Sequence, residues 1–411
     1  MYSAERIRRL DNAANAFPAN AGKKDSRVFR VYCKLNEAVQ PEILQKALDQ
    51  VILRYPMFQC TLKRGYFWFY FERSSIKPMV KQETKAPCSE IYHPDQNNLL
   101  YEVTYNQEKI ILEMFHALTD GTGAFCFLQD IVKVYLCLLY KIDDPDSMAD
   151  NIQSEQEEDS FSLYYSSVKK VKQIRKSGRA YQMKGEKVTQ KNMKIMECSM
   201  PVKQLLQHSR AQQASITVYM TAVLLQAVSH KMTEKQKRRP VVVMIPINLR
   251  NYYPSKSMSN FFGWMEIEYK FKDKDTFEDI LLHVKRRFAE ELLREQVAFR
   301  MSHFVKIEKN VLLKYIPLGM KNVFLKMGTR FGSNHISVVL SNISVIKMPK
   351  PYETYIDRFG VITSTDKLQM CSCSYQDKFY FSITSKLEDL SIQQDILKFL
   401  KKEKIDISII H

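Results

Sequence analysis

The sequence predicts an α/β protein in which mixed sheets carry packed helices and the chain divides into two lobes. Three observations support this. At 411 residues, the chain exceeds what one hydrophobic core usually serves. Strand-like and helix-like patterns occur in both halves, and several strands form antiparallel pairs joined by short turns. No Gly-rich turn follows an early strand, as a doubly wound dinucleotide fold would require, and the whole chain has only 11 Gly.

In the first half, residues 27–35 alternate as a half-buried strand does, with Phe29, Val31, Cys33 and Leu35 on the inner face. Pro41 opens a helical pattern over 41–48, at the first-turn position where its missing N–H costs nothing. Residues 57–61 and 66–72 pattern as strands around Lys63-Arg64-Gly65, and 101–105 and 109–115 as strands around Asn106-Gln107-Glu108. The last of these runs into a loop and then a helical pattern from Ala124. Acidic residues from Asp143-Asp144-Pro145-Asp146 to Glu157-Glu158-Asp159 are followed by basic ones at Lys169-Lys170, Arg175-Lys176 and Arg179. This composition shift predicts a charged linker or crossover over 143–190, between an N-terminal lobe (1–142) and a C-terminal lobe (191–411).

In the second half, 193–200 patterns as a strand and 202–213 and 216–228 as helices. Residues 240–246 are rich in β-branched side chains and read as a buried strand, and 276–296 as one long amphipathic helix with a charged outer face. A strand over 335–345, a hairpin of 371–376 and 379–385 around Asp377-Lys378, and a helix over 391–402 complete the chain.

Lys plus Arg number 62 against 45 Asp plus Glu, a net charge of +17. Such a surplus suits anionic partners or simple solubility. No nucleic-acid-binding signature accompanies it, so nucleic acid is not an expected partner. The eight cysteines are scattered without a C-x-x-C pair, and no metal site is expected. Cys371 and Cys373 are two apart on a strand and share a face. Cys126 near His116 raises a Cys/His nucleophile pair, but a buried helix cysteine is the stronger reading. The N-terminus lacks the apolar core of a signal peptide. The largely apolar run 216–228 is too short for a membrane span. A reducing cytoplasm is the expected location.

The most informative stretch is Phe115-His116-Ala117-Leu118-Thr119-Asp120-Gly121. It places an imidazole where a buried strand gives way to a loop, with a pKa near neutrality that suits proton acceptance. Read locally, Asp120 or Thr119 caps the next helix and Gly121 and Gly123 supply turn geometry. His-x-x-x-Asp-Gly between strand and helix resembles the signature of the CoA-dependent acyltransferase superfamily. That group includes chloramphenicol acetyltransferase, BAHD enzymes, alcohol acetyltransferases and nonribosomal peptide condensation domains. The segment from Pro246 through Asn248, Arg250 and Asn260 to Gly263 is similar to a second block of the alcohol acetyltransferase branch, as is Leu340-Ser341-Asn342-Ile343-Ser344-Val345. Leu10-Asp11-Asn12-Ala13 resembles the opening of its bacterial members.

The resemblance implies two chloramphenicol acetyltransferase-like lobes with the site at their interface. It implies His116 as general base, Asp120 as a structural residue paired with an Arg (Arg250 being the candidate), and Gly121 as the point where the loop bends. Donors for a developing oxyanion come from Asn260, Ser341 and Asn342. The implied reaction moves an acyl group, acetyl in the first instance, from acyl-CoA to the hydroxyl of a small acceptor, without metal or redox cofactor. A donor delivered by an acyl carrier protein, as in a condensation-like enzyme, is the rival chemistry, and a non-catalytic two-lobed binding protein the rival class. Two positions depart from the pattern: Phe115 stands where many versions carry a second His, and Ser344 where Gly is expected.

Overall fold

The computed structural model describes residues 7–11, 13–94, 96–143, 156–165, 178–309 and 315–410. Half of the charged crossover expected over 143–190 (144–155 and 166–177), and Asn12 of the opening segment, lie outside the described residues.

In chain order, β1 (Ile7–Arg9) and a one-turn helix α1 (Ala16–Asn20) precede β2 (Val28–Leu35) and α2 (Pro41–Val51). Next come β3 (Cys60–Arg64), β4 (Phe69–Arg73), β5 (Lys81–Gln82), β6 (Tyr101–Asn106), β7 (Lys109–Phe115) and α3 (Gly121–Tyr140). The second half holds β8 (Lys194–Pro201), α4 (Val202–Ala211), α5 (Ile216–Ser229), β9 (Val241–Asn248) and β10 (Phe262–Tyr269). It continues with α6 (Phe277–Glu291), α7 (Arg294–Lys309), α8 (Leu318–Ser333), β11 (Val338–Ile346) and β12 (Ile356–Thr363). It ends with β13 (Leu368–Tyr375), β14 (Lys378–Ser385), α9 (Ser391–Lys402) and β15 (Ser408–Ile410).

The first lobe is built on a five-stranded sheet, β12-β2-β7-β6-β5, the second on a seven-stranded sheet, β10-β9-β11-β13-β14-β8-β15. A small sheet, β1-β4-β3, adjoins them. β7, the strand before His116, is the middle of the first sheet, so its end is held on both sides. In the second sheet β11 runs parallel to both β9 and β13. Helices α5, α6 and α9 share one apolar core with one face of this sheet, through Val223, Val284, Ile396, Val243 and Ile383. The opposite face, through Cys371, Cys373, Tyr375 and Tyr380, joins the core of the first lobe, where α2 and α3 also pack. The two sheets meet at β12: Ser382 Oγ donates to Val361 O at 2.5 Å.

The elements start and stop for local reasons. Ser215 caps α5 by accepting from Val218 N. Thr276 and Asp279 form a reciprocal capping box at α6. The single helix expected over 276–296 instead ends at Glu291 and resumes as α7. The Glu291 carboxylate is gripped by Arg287 and by Arg300 of α7, which folds the chain back on itself. The strand expected at 57–61 begins only at Cys60, after a tight turn over Pro56–Phe58, and Gly65 to Trp68 make a longer hairpin tip than expected.

Two further differences concern the lobes. Both faces of β2 are buried, not one: Arg30 lies inside because Glu113 and Glu83 pair with it, and Tyr32 reaches Glu197 of the second sheet. β12, within the segment assigned to the C-terminal lobe, crosses back to pair antiparallel with β2. It covers what would be an open strand edge of the first sheet.

Candidate active site

His116 follows the end of β7, and its N–H donates to Arg27 O at 2.8 Å, just before β2. Leu118 N donates back to Phe115 O at 2.9 Å, which closes the turn. The chain then enters α3, and Asp120 is its N-cap: Oδ1 accepts from Thr122 N at 3.0 Å and Gly123 N at 3.2 Å. The same carboxylate has a second task. Its Oδ2 accepts from Arg250 Nη1 at 2.7 Å and from Phe261 N at 2.9 Å. The capping role and the ion-pair role are therefore not alternatives, because one oxygen serves each.

Arg250 completes a clamp. Its Nη2 donates to the carbonyls of Ser257 and Ser259, both at 2.8 Å, so one guanidinium gathers 257–259 against the His116 loop. Thr119 Oγ1 donates to Met258 O at 2.5 Å. The segment from the second lobe is thereby fastened along the whole loop of the first. Both members of the ion pair are largely buried, with side-chain exposures of 8% for Asp120 and 12% for Arg250. A buried pair of this kind is intolerant of losing one partner.

Two glycines allow this fit by what they lack. A Cβ on Gly121 would lie 2.7 Å from Ile343 Cδ1 of β11. Gly121 does not adopt left-handed backbone, so it permits a close approach rather than the bend that the sequence suggested. A Cβ on Gly123 would meet the Met258 carbonyl at 2.8 Å and overlap Thr119. Because a backbone carbonyl cannot step aside as a flexible side chain does, Gly123→Ala should destabilise the protein by about 1–3 kcal/mol. A urea midpoint equal to that of the parent would show that the 257–259 segment yields freely and is no clamp.

The imidazole sits among three phenylalanines. Phe17 of α1 stacks on it at 4.5 Å and 11°, Phe29 of β2 lies at 4.9 Å and Phe262 of β10 at 5.7 Å. The ring is partly accessible. Its Nδ1 is buried without a conventional hydrogen bond among the described residues, as is Asn260 Oδ1. Nε2, unlike Nδ1, is not a buried atom without a partner. Burial lowers the pKa of His116 from its ordinary value, opposed by its own backbone carbonyl, Asp120 and Asn260.

Asn260 and Asn342, candidate oxyanion donors by sequence, have other work. Asn260 Nδ2 donates to His116 O at 3.1 Å, Ala117 O at 3.3 Å and Asp11 Oδ2 at 3.2 Å, so it is a strut beneath the loop. Asn342 donates to Thr217 Oγ1 at 3.0 Å and accepts from Ser344 N at 3.0 Å. It steadies a bulge at which Ser344 has φ +79°. That left-handed conformation costs a non-glycine residue about 1–2 kcal/mol, the physical reason glycine suits the position. Ser341 lies on β11 two residues before Ile343, which abuts Gly121. Its hydroxyl is the remaining donor of the three.

Sequence reasoning gave Phe29 only a place on the inner face of its strand, and no site role to Asp11, Phe17 or Phe262. Asp11 is buried and accepts from Ala14 N at 2.7 Å and Asn260 N at 3.2 Å. Burial pushes its carboxyl up to about 7, against the pull of those donors and of Arg8. Its signal was only the opening Leu10-Asp11 pair. The phenylalanines lie far apart in the chain and no local pattern marks them. Cys126, one turn into α3, is not a thiolate at neutral pH, because burial raises its pKa to about 11. A cavity of about 220 Å³ beside Leu35 and Tyr355 and a polar groove of about 570 Å³ beside Asp357 and Lys378 lie at the far end of β2, away from His116.

No protein-family model matches the chain and no curated protein is similar to it in sequence. Solved structures are similar along its whole length. Polyketide synthase associated protein 5 from Mycobacterium tuberculosis matches with a TM-score of 0.65 at 13% identity, over 97% of this chain and 98% of its own. The trichothecene 15-O-acetyltransferase of Fusarium sporotrichioides matches at 0.64 and 9% identity, over 98% and 97%. A Fusarium graminearum protein complexed with coenzyme A and T-2 mycotoxin matches at 0.62 and 12% identity, over 98% and 99%. Condensation domains, such as the first of the CDA synthetase, match at 0.62 and 11% identity, over 98% and 95%. The chain has the two-lobed, chloramphenicol acetyltransferase-like fold of these solved structures.

Proposed function

We propose that this protein is an acyltransferase that moves an acyl group, acetyl in the first instance, from the thioester of CoA to a hydroxyl acceptor, with His116 as general base. One observation carries the reading: an imidazole at the lobe junction, on a loop clamped by the second lobe, with Nδ1 buried, which makes Nε2 the nitrogen proposed to act as base. The fold shared with CoA-complexed proteins supports the donor.

The chemistry follows from that atom. Its lone pair lies in the ring plane, so Phe17 stacked on the face does not block it. Nε2 takes the hydroxyl proton as the acceptor oxygen bonds to the thioester carbon. The carbonyl electron pair moves onto oxygen, where the Ser341 hydroxyl is the side-chain donor proposed to meet it. Collapse of the tetrahedral species breaks the carbon–sulfur bond. The imidazolium returns its proton to the departing thiolate, so thiol and ester leave and the enzyme is regenerated.

The lowered pKa gives a pH prediction with a definite sign. Only neutral imidazole accepts a proton, so kcat/KM should rise with pH on a limb centred below about 6.5, the free-histidine value, and be level by neutrality. Thiol release is the assay, with acetyl-CoA or an acyl-carrier thioester as donor and a panel of alcohols as acceptors. A limb centred above pH 7 would contradict the buried base. Release from neither donor with any acceptor would favour a non-catalytic binding role. Release from the carrier thioester alone would move the donor from CoA to a carrier protein.

A further inference from the structure

Helix α8 is turned inside out for a helix of a globular protein. Met320, Val323, Phe324, Met327 and Phe331 fall at helical spacing on one face, and they are between 50% and 64% exposed. The opposite face is the one attached to the protein. Leu318 is buried, and Thr329 Oγ1 donates to Asn20 Oδ1 of α1 at 2.6 Å, three residues beyond the Phe17 that stacks on His116.

The patch continues past the helix. Leu318 N donates to Tyr66 O at 2.8 Å, and Lys321 Nζ donates to Phe67 O at 3.0 Å while lying 3.4 Å over the Trp68 ring. The tip of the β3–β4 hairpin, with Tyr66 73% exposed, therefore extends the apolar face of α8. Its charge is mostly positive, although Lys63 pairs with Glu72 of the hairpin at 3.7 Å. The helix sequence holds Lys321, Lys326 and Arg330, the hairpin tip holds Lys63 and Arg64, and no Asp or Glu occurs from Lys309 to Tyr352.

We propose that this face binds the surface of an anionic lipid bilayer, with the apolar stripe of α8 and the hairpin aromatics seated among the acyl-chain ends of the headgroups. Large exposed apolar side chains on a helix that carries Lys and Arg but no Asp or Glu have the composition of an interfacial helix. The basic flanks complement anionic headgroups. A second copy of the chain would set the same cations against each other. The proposal stands apart from the transferase reading, since it requires no chemistry at His116. If both hold, a membrane-dissolved alcohol has its acceptor hydroxyl one helix layer from the base.

The test is flotation of the intact protein with vesicles of phosphatidylcholine alone or with roughly one third phosphatidylglycerol. Trp68, one of only two tryptophans, reports contact by its fluorescence. Binding to the anionic vesicles is expected, with a blue shift and weakening at high salt. The double variant Phe324→Ser/Phe331→Ser should bind at least about tenfold more weakly with an unchanged melting temperature, as should Lys326→Glu in the opposite-charge direction. Failure of the parent to bind anionic vesicles overturns the proposal, and so does equal binding by the parent and both variants. A concentration-dependent dimer, or capture of an acidic carrier protein, in place of vesicle binding assigns the face to that partner instead.

Discussion

Replacing His116 by Ala is expected to lower acyl transfer by about a hundred- to ten-thousand-fold, the usual contribution of a positioned base, while the protein stays folded. The loop conformation does not depend on the imidazole. It is set by main-chain bonds from His116 N and to His116 O, by the Asp120 cap and by the Arg250 clamp. What the substitution removes is ring packing against Phe17, Phe29 and Phe262, for which aromatic contacts contribute about 0.5–1.5 kcal/mol each at most. The measurement is thiol release under saturating donor, beside a thermal melt. Near-parental turnover by a folded H116A protein would eliminate this residue as the base. A collapse of the melt would instead mean that the ring is structural.

The second large effect concerns the Asp120–Arg250 pair, and it falls on stability. Asp120→Ala removes the cap of α3, orphans Phe261 N and strands a guanidinium in a largely buried site. Breaking a buried pair by removing one member typically costs about 3–5 kcal/mol, and loss of an N-cap alone about 1 kcal/mol. Asp120→Asn separates the two roles. Its carbonyl oxygen can still accept from Thr122 N and Gly123 N, but its amide would face Arg250 donor to donor. A double-mutant cycle with Arg250→Gln isolates the pair, and a coupling of several kcal/mol is expected from urea midpoints. Additive single effects would mean that the two side chains act independently despite their 2.7 Å contact.

Much of this site was legible because it is local. The apolar run ending at Phe115, the break at His116, and short oxygen-bearing residues ahead of a run of helical periodicity place a histidine at a strand end and an N-cap at Asp120 or Thr119, between which the structure chose Asp120. Long elements with strong periodicity, such as β7, α5 and α9, were equally readable. The strands β10 and β12 were left unread for a shared reason. β10 and β12 derive their register from partners elsewhere in the chain, and β12 lies under Tyr32 only because Gly360 has no side chain to obstruct it. The long helix expected over 276–296 was divided by Arg300, whose hold on Glu291 is a tertiary contact that periodicity does not encode.

The oxyanion candidates illustrate the same boundary. Asn260 and Asn342 carry the right groups, and nothing in the chain order reveals that their amides are engaged by Asp11, two backbone carbonyls and Thr217. By itself the sequence determined the fold class, the strand-to-helix turn that presents His116, and the residue types available for proton transfer. These depend on hydrophobic period and local backbone chemistry, which a linear chain records. The tertiary structure alone decided which nitrogen is buried, which phenylalanines pack on the ring, that Arg250 grips Asp120 from 130 residues away, and that the apolar face of α8 points outward. Each is a matter of which surfaces meet, and that is settled only when two sheets and their connecting segments pack together.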